Sequence, residues 1–175
     1  MSGRHQWQGE NLPVSIIMGR TLAPEIAIYE KIKQKLNIKS SGQNEFLFLY
    51  HGRLSDIPKT SHYSRTNLYK RLKERDENDQ AYILVTTSAI EVGCDLNSTR
   101  LITQLCNPES LIQRAGRCNR KGNVEDAKII VIGNNIPEFV NTLSEAELED
   151  YKTLLKGLHN QNFDPKAIMN CVSTK

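Results

Sequence analysis

The sequence lacks the long apolar stretch that a membrane span requires. None of its runs approaches the roughly 20 apolar residues that cross a bilayer, and Met1 to Asn11 is polar, without the apolar core of a secretory signal peptide. The four cysteines include no C-x-x-C pair, which argues against a zinc ribbon and against a disulfide framework. These absences disfavour membrane and secreted classes and predict a cytoplasmic protein with reduced thiols and no metal site.

Three nucleotide-binding motifs are also absent. There is no G-x-x-x-x-G-K-[ST] loop, whose backbone cradles the α- and β-phosphates of a nucleotide, and no Asp-Glu-x-His or similar acidic box that would hold magnesium. A G-x-G-x-x-G sequence after Met18 is missing too, which argues against a dinucleotide-binding domain. The chain is therefore not expected to bind ATP and Mg²⁺ tightly by itself.

The remaining composition is that of an ordinary globular domain. The 175 residues, 38% apolar and 25% charged, suit a single hydrophobic core. The net charge of +3 is small, but two segments concentrate positive charge: Lys59–Arg75 has six basic side chains against one acid, and Leu111–Gly122 has four against none. Blocks of like charge are usually solvated helix faces. The position of each cluster in the fold must therefore decide its role.

Five apolar runs predict five strands. They are Val14–Met18, Phe46–Tyr50, Tyr82–Val85, Leu101–Leu105 and Ile129–Ile132. Apolar residues from Leu22 to Leu36 recur at helical spacing, and Leu68 and Leu72 line one side of a basic helix. Continuous apolar runs are typical of strands buried on both faces, and strand–helix alternation indicates a parallel sheet. The predicted fold is α/β, an open, mainly parallel five- to six-stranded sheet with helices on both faces.

The C-terminal part reads as a packing helix followed by a tail. Ser144 stands three residues ahead of Glu147, which is the pattern of a capping box at a helix start. After Leu158 the chain turns polar, which predicts a frayed or connecting tail. The resulting division is a polar segment at 1–13, an α/β lobe at 14–136, and a helix with a polar tail at 137–175.

Ligands of an open parallel sheet bind beyond the carboxyl ends of the strands, so the residues that follow each run are informative. Thr86–Leu96 follows the third run and offers hydroxyls and backbone donors at the start of a short helix, which suits a phosphate oxygen. Gly93 would let the backbone approach a ligand closely, and Asp95 could accept a hydrogen bond from a ribose hydroxyl. This segment indicates a nucleotide-binding edge without specifying the nucleotide.

The segment after the fourth run is more specific, because Arg114, Arg117 and Arg120 recur every three residues. At helical spacing this period keeps the three side chains on one side, where their guanidinium groups can converge on an anion. Guanidinium forks match phosphate oxygens bidentately and stay charged, as arginine fingers of phosphoryl transfer do. No acid lies within Leu111–Gly122, so the local partners of an ordinary surface helix are missing. The cluster predicts a phosphate site.

These segments resemble known helicase motifs. Thr86–Leu96 looks like motif V of superfamily 2 helicases, and Gln113–Arg120 looks like their motif VI. The form Ser-Leu-Ile-Gln-Arg-Ala-Gly-Arg with Asn-Arg-Lys-Gly after it is most similar to the helicase part of the CRISPR-associated type I helicase-nuclease. The resemblance runs from about Val14 to Ile132 and implies the second, C-terminal, of two RecA-like lobes.

The resemblance implies residue roles at the nucleotide. It places Gln113, Arg117 and Arg120 there, with the two arginines as the catalytic fingers that reach the γ-phosphate. It places Gly93 and Asp95 beside the ribose or the triphosphate. ATP and Mg²⁺ would then bind only when a first RecA-like lobe completes the site.

The resemblance also implies contacts with a nucleic-acid strand. Thr87 and Ser88 would touch the backbone of a single strand, Arg53 would lie near that strand, and Arg114 would tie motif VI to its neighbours. No His-Asp dipeptide occurs, so the metal-dependent nuclease domain that this family often carries is not expected here.

The function that follows is the second motor lobe of an ATP-dependent translocase or helicase of a type I CRISPR effector. Its partners would be single-stranded DNA rather than RNA, a first RecA-like lobe in the same or another chain, and a CRISPR effector complex; no membrane is involved. Alone, it would be inactive as an ATP hydrolase. The alternative is a stand-alone half-motor that binds nucleic acid or a partner without catalysis.

Overall fold

The computed structural model describes residues 14–19, 21–38, 46–54, 64–91, 94–137 and 141–172, and a five-stranded sheet forms its centre. The strands are β1 (Ser15–Met18), β2 (Leu47–Tyr50), β3 (Ile83–Thr86), β4 (Arg100–Gln104) and β5 (Lys128–Ile132). All neighbours are parallel, in the order β2-β3-β1-β4-β5. The α/β class and the five predicted strands are confirmed. The predicted polar segment 1–13 lies outside the described residues.

Helices connect the strands and follow the last one. They are α1 (Leu22–Lys35), α2 (Arg65–Glu77), the one-turn 3-10 helix η1 (Ser88–Ile90), α3 (Pro108–Ala115), α4 (Glu145–Gly157) and α5 (Pro165–Val172). The predicted capping box of α4 is confirmed, because the Ser144 side chain accepts from the Glu147 backbone N–H while the Glu147 carboxylate accepts from the Ser144 backbone N–H. Within the described part of the chain, none of these helices has the length and hydropathy to span a bilayer.

The crossover directions decide which face each helix covers. Strand-to-strand connections in a parallel sheet are right-handed. The connection from β1 to β2 runs one way along the sheet, and the later connections, through α2, η1 and α3, run the other way. The helix α1 therefore covers one face, over β2 and β3, while α2 and α3 cover the opposite face. We call the side that carries α1 the α1 face.

Most of the core lies on the face opposite α1. One cluster joins Leu68 and Leu72 of α2 to residues of β1 to β4, including Ile16, Leu84 and Leu101, all nearly fully buried. A second cluster packs α3, α4 and α5 over the carboxyl ends of β4 and β5. This arrangement fixes the segments that follow β3 and β4 against one rigid support.

The structure corrects the prediction of a frayed tail after Leu158. The helix α5 packs against α3 and α4, and its Ile168 is fully buried. The Asp164 carboxylate accepts from two backbone N–H groups of the first turn, and Pro165 occupies a helix start, where its missing N–H has no cost. The proline thus begins a helix, and the polar residues before it form the turn.

Candidate functional site at the carboxyl edge of the sheet

The carboxyl ends of the three central strands meet at one edge of the sheet. Thr86 of β3 and Thr103 of β4 both stand in register with Met18 of β1, and both threonines are fully buried. The segment after β3 and the segment after β4 therefore emerge side by side. The two sequence segments predicted to carry chemistry lie together in the structure.

Arg114 anchors one segment to the other. It lies in the last turn of α3 and is buried, its Nε donates to Glu91 Oε1 at 2.7 Å, and its Nη1 donates to Thr103 Oγ1 at 2.7 Å. The sequence offers no local acid to these arginines, and the structure supplies a distant one. The partner of Arg114, Glu91, comes from the neighbouring segment across the sheet edge.

The prediction that helical spacing aligns the three arginines is wrong. The helix α3 ends at Ala115, so Arg117 and Arg120 lie in the loop that follows it. This arginine loop, Gly116 to Lys121, is bound to Ser98: the Ser98 N–H and hydroxyl donate to Arg117 O at 2.8 and 2.9 Å, and the Asn119 N–H donates to Ser98 O at 2.7 Å. Backbone hydrogen bonds, rather than helical periodicity, position the arginines.

A left-handed residue shapes the arginine loop. Asn119 has a φ of 50°, a conformation that asparagine tolerates better than most residues. Its side chain donates from Nδ2 to Val124 O at 2.9 Å and accepts from the Val124 N–H at 3.0 Å. These two bonds close the loop on itself and turn the chain towards β5. The loop is thereby held at both ends.

Arg117 reaches back over the edge to the segment after β3. Its Nη2 donates to the Glu91 backbone oxygen at 2.8 Å, and its Nε is buried without a hydrogen-bond partner. Glu91 thus contacts both arginines, with its carboxylate on Arg114 and its carbonyl on Arg117. Because a buried donor without a partner is costly, the free Nε of Arg117 is chemically suited to an anionic oxygen.

Arg120 faces solvent and pairs with a predicted site residue. Its Nη1 lies 3.1 Å from Asp95 Oδ1, and both side chains are about half exposed, 46% and 64%. The Arg120 backbone N–H donates to Asn97 Oδ1 at 2.7 Å. An exposed pair of this kind is weak, so the guanidinium can exchange partners while the backbone stays fixed.

The helix α2 supports the segment that carries Asp95. The Asp95 N–H donates to the Tyr69 hydroxyl at 3.0 Å, and the Asn97 N–H donates to Asp76 Oδ1 at 3.2 Å. Burial raises the pKa of the Asp76 carboxyl, and the accepted hydrogen bond from Asn97 opposes that shift. Asn97 therefore links α2 to the arginine loop: its N–H donates to Asp76 of α2, and its Oδ1 accepts from the Arg120 N–H.

The other predicted site residues lie along the same edge. Gln113 is exposed on α3, Ser88 is exposed at the start of η1, and the Thr87 hydroxyl accepts from the Ala89 N–H as the cap of η1. Arg53 is exposed in the turn after β2, beside β3. Gly93 lies outside the described residues, so its predicted contact stays a prediction.

The histidine before Arg53 has an altered acidity. Burial, reinforced by the nearby Arg53 guanidinium, lowers the pKa of His51, and the His51 Nδ1 is buried without a hydrogen-bond partner. The imidazole is therefore neutral at physiological pH. The positive charge at this end of β2 comes from Arg53.

The basic cluster of α2 is largely engaged within the lobe. Arg71 lies 5.2 Å from the ring centroid of Phe48, and Arg75 donates to Ala81 O at 3.0 Å. Lys70 and Lys73 pair with acids one turn along the helix. The two arginines thus pack on the lobe, while the lysines and their acids lie on a solvated helix face, as is usual for a block of like charge.

Six residues of this site were not identified from sequence: Tyr69, Asp76, Glu91, Asn97, Ser98 and Thr103. The signal for Glu91 was available, since segments after neighbouring parallel strands share an edge and an acid in one can pair with an arginine in the other. Among the described residues, no group of three or more His, Cys, Asp or Glu side chains could hold a metal ion. One cavity, lined by residues of β5 and α4, lies away from the arginines.

The strand order, the parallel sheet and the arginine loop over its carboxyl edge define a RecA-like α/β lobe. The sequence model of the family "CRISPR-associated nuclease/helicase Cas3, C-terminal" matches residues 13–123, and the chain belongs to this family. The match includes both segments of the edge, Thr86–Leu96 and Gln113–Arg120. The recognition of a superfamily 2 C-terminal lobe similar to the CRISPR-associated helicase-nuclease is confirmed.

Individual relatives agree with this assignment. A putative CRISPR-associated nuclease/helicase Cas3 of Methanocaldococcus jannaschii is 30% identical over 76 residues, covering 38% of this chain and 10% of the relative. The crystal structure of T. fusca Cas3 with ATP matches 86% of this chain and 18% of its own, with a TM-score of 0.62 and 21% identity. A chain of a CRISPR RNA-guided surveillance complex in a pre-nicking state matches 90% of this chain and 21% of its own, with a TM-score of 0.63 and 19% identity.

These matches cover only part of each relative. The chain spans a tenth of the length of the curated relative and about a fifth of the solved chains. The structural likeness, at about 20% identity, concerns the fold. The activity of the whole relatives does not follow from it directly.

Proposed function

We propose that this chain is the second motor lobe of an ATP-dependent translocase or helicase that acts on single-stranded DNA in a type I CRISPR effector. The observation that carries the proposal is the arginine loop: Arg117 and Arg120 stand over the carboxyl edge of a RecA-like sheet, held by backbone hydrogen bonds that leave their guanidinium groups weakly committed. Family membership over residues 13–123 supports it.

The side chains of this edge fit half of a nucleotide site. Arg117 has an unused buried donor, and Arg120 has an exposed partner that an anion can replace. Gln113, Asp95 and Gly93 would complete the contacts with the nucleotide. When bound, ATP with its Mg²⁺ supplies the phosphoryl group whose transfer drives the motor. The phosphate loop and the magnesium-binding acids must come from a first RecA-like lobe.

Each arginine of the loop has a distinct proposed role. Arg117 and Arg120 offer bidentate donors to the γ-phosphate oxygens, and they stabilise the charge that develops on them. Arg114 does not reach the nucleotide, because its guanidinium group is already hydrogen-bonded to Glu91 and Thr103. It is a positioning residue that holds the segment after β3 against α3.

The strand-binding contacts are proposed for the ends of β2 and β3. Arg53, Thr87 and Ser88 follow these adjacent strands, and Arg53 and Ser88 are exposed. An exposed cation beside hydroxyl groups suits a phosphate backbone without reading bases. The effector complex is proposed as a further partner on the basis of the solved surveillance complex that contains a related chain.

The proposal is tested by ATP turnover with and without a first lobe. The chain alone is expected to release no phosphate, and adding the first RecA-like lobe of the same helicase should produce turnover stimulated by single-stranded DNA. Strand binding without any turnover in the mixture would instead favour the non-catalytic half-motor. If the mixture neither binds single strands nor hydrolyses ATP, both the motor-lobe and the half-motor hypotheses are refuted.

Variants of the arginine loop test the roles. Arg117→Ala or Arg120→Ala should lower turnover of the assembled motor by on the order of 10³-fold, and Arg117→Lys should recover little, because an ammonium lacks the bidentate fork. Lys166→Ala removes an exposed cation on α5 and serves as the control. Turnover within about threefold of wild type in the double alanine variant would show that neither arginine acts on the phosphate.

A further inference from the structure

The helix α1 buries a carboxyl group to which the proposed site gives no role. Glu25, in the first turn of α1, is fully buried, whereas the apolar Ile26 beside it is 42% exposed. No other residue hydrogen-bonds to either carboxylate oxygen of Glu25. Burial of an ionisable group without a partner is costly. An apolar side chain would pack at this position without that cost, so packing alone does not explain the glutamate.

A glycine makes room for this carboxyl group at the end of β1. A Cβ added at Gly19 would overlap Glu25 Oε1, so the carboxyl group lies directly against the Gly19 backbone. Gly19 follows Met18, the last residue of β1, and Met18 is in register with Thr103 of the neighbouring strand. Glu25 therefore lies at the carboxyl edge of the sheet, beside the strand end whose threonine binds Arg114.

Among the described residues, Arg114 is the charged side chain that acts on Glu25. Burial raises the pKa of the Glu25 carboxyl, and the Arg114 charge opposes that shift. The strand ends at this point contribute Gly19, Thr86 and Thr103, none of which is charged. The two hydrogen bonds of Arg114 use Nε and Nη1, and Nη2 takes part in neither. A guanidinium nitrogen outside both bonds thus lies within electrostatic range of a carboxyl group that has no partner.

We propose that Glu25 is a positioning residue, an alternative carboxylate partner that binds Arg114 whenever Glu91 moves away. Arg114 can keep its bond to Thr103 during the exchange, because Thr103 and Glu91 bind different nitrogens. Glu25 loses its proton to water as it pairs, and the guanidinium keeps its charge throughout. Arg114 is then never left as an uncompensated buried charge, which is strongly destabilising in a protein interior.

The exchange allows the segment after β3 to move. Glu91 continues the segment that is proposed to hold a nucleic-acid strand. If Arg114 had one carboxylate only, displacing Glu91 would break a buried ion pair, whereas a second carboxylate lets an ion pair form again. This consequence for the motor rests on the proposed function. The exchange itself is a property of this chain alone.

The test is a reversal of sign in the melting temperature of the chain. In wild type the pKa of Glu25 is raised, so its ionisation destabilises the fold, and Glu25→Gln should raise the melting temperature by about 3 °C near neutral pH and leave it unchanged near pH 4. In Glu91→Gln, Arg114 pairs with Glu25 and lowers its pKa, so the carboxylate contributes stability that is lost as pH falls through that pKa. Adding Glu25→Gln to Glu91→Gln should therefore lower the melting temperature near neutral pH by about 3 °C or more.

A control and a second measurement support this comparison. Glu30→Gln changes a half-exposed carboxylate of the same helix, which lies 3.7 Å from Lys33, and should shift the melting temperature by less than about 2 °C in both backgrounds. Titration of the Glu25 carboxyl carbon by nuclear magnetic resonance should give a pKa above the usual range of glutamate in wild type and below it in Glu91→Gln. An equal rise of the melting temperature in both backgrounds, or the same Glu25 pKa in both proteins, would overturn the inference.

The assembled motor separates this inference from the proposed function. With a first RecA-like lobe present, Glu25→Gln should reduce the stimulation of ATP turnover by single-stranded DNA about tenfold, because Glu91 is then harder to displace. Unchanged stimulation together with the reversal of sign would confirm the exchange and remove its role in the motor. If the wild-type mixture hydrolyses no ATP but the sign still reverses, the proposed function fails and the exchange at Arg114 stands.

Discussion

Replacing Arg114 by alanine is expected to destabilise the lobe more than replacing either Arg117 or Arg120. Arg114 is 3% exposed, and its side chain makes two hydrogen bonds, to Glu91 and to Thr103, each 2.7 Å long. The alanine variant leaves the Glu91 carboxylate without its cation in a site where its side chain is only 12% exposed. It also removes the donor to the buried Thr103 hydroxyl, which itself donates to Gln104 O.

The magnitude follows from the cost of an uncompensated buried charge. Breaking a buried ion pair by removing one partner costs about 3–5 kcal/mol, and a domain of this size loses roughly 2–4 °C of melting temperature per kcal/mol. Arg114→Ala should therefore lower the melting temperature by about 6–20 °C. Arg120→Ala breaks a pair whose side chains are 46% and 64% exposed, so its loss should stay below about 1 kcal/mol.

Thermal melts of the two variants, measured at one pH and one salt concentration, provide the comparison. A third variant, Arg114→Leu with Glu91→Leu, removes both charges and should recover part of the loss, because no buried charge is left unpaired. Melting temperatures for Arg114→Ala and Arg120→Ala within about 2 °C of each other would refute the reasoning. They would mean that Glu91 is solvated enough to stand alone.

Three further outcomes are expected. Burial raises the pKa of the Glu25 carboxyl, while a backbone hydrogen bond and the Arg114 charge oppose the shift. The contribution of this carboxyl to stability is therefore present at low pH and lost as pH rises through that pKa. Glu25→Gln should raise the melting temperature near neutral pH and leave it unchanged near pH 4, and a pH-independent difference would contradict this. Ser144→Ala should cost about 0.5–2 kcal/mol through the lost cap of α4, whereas Thr153→Ala at an exposed position of the same helix should cost less than about 0.5 kcal/mol. Binding of single strands should weaken steeply with salt, and Arg53→Ala should reduce the slope of log K against log salt by about 0.7; an unchanged slope would remove Arg53 from the strand path.

The fold could be predicted because its signals are local and redundant. Each strand coincides with a short, mainly apolar run. In β2 and β3, where three of four residues are buried, polar alternation is absent, as expected for strands buried on both faces. The capping box of α4 needs only four consecutive residues, and its geometry forms as the sequence predicts. Shared carboxyl edges then bring the two motif segments together.

The geometry of the arginine loop could not be predicted because tertiary contacts override the helical period. Eight residues of α3 satisfy that period, and then the loop leaves the helix at Gly116 to pair with Ser98. Nothing local to residues 116–121 encodes a partner that lies about 20 positions earlier in the chain. The helix α5 was missed for a related reason, because the burial of Ile168 depends on α3 and α4.

Glu91 connects the proposed strand-binding segment to both Arg114 and Arg117. It follows η1 directly, so it continues the segment whose Thr87 and Ser88 are proposed to hold a strand, and it contacts Arg114 through its carboxylate and Arg117 through its carbonyl. Under the proposed roles, a displacement of the strand-binding segment moves a hydrogen-bond acceptor of Arg117 without an intervening flexible link. Arg114 joins the Glu91 carboxylate to α3, so a side-chain contact links the segment after β3 to the helix that leads into the arginine loop. Coupling between strand movement and phosphate contact would then be a property of this short path through Glu91.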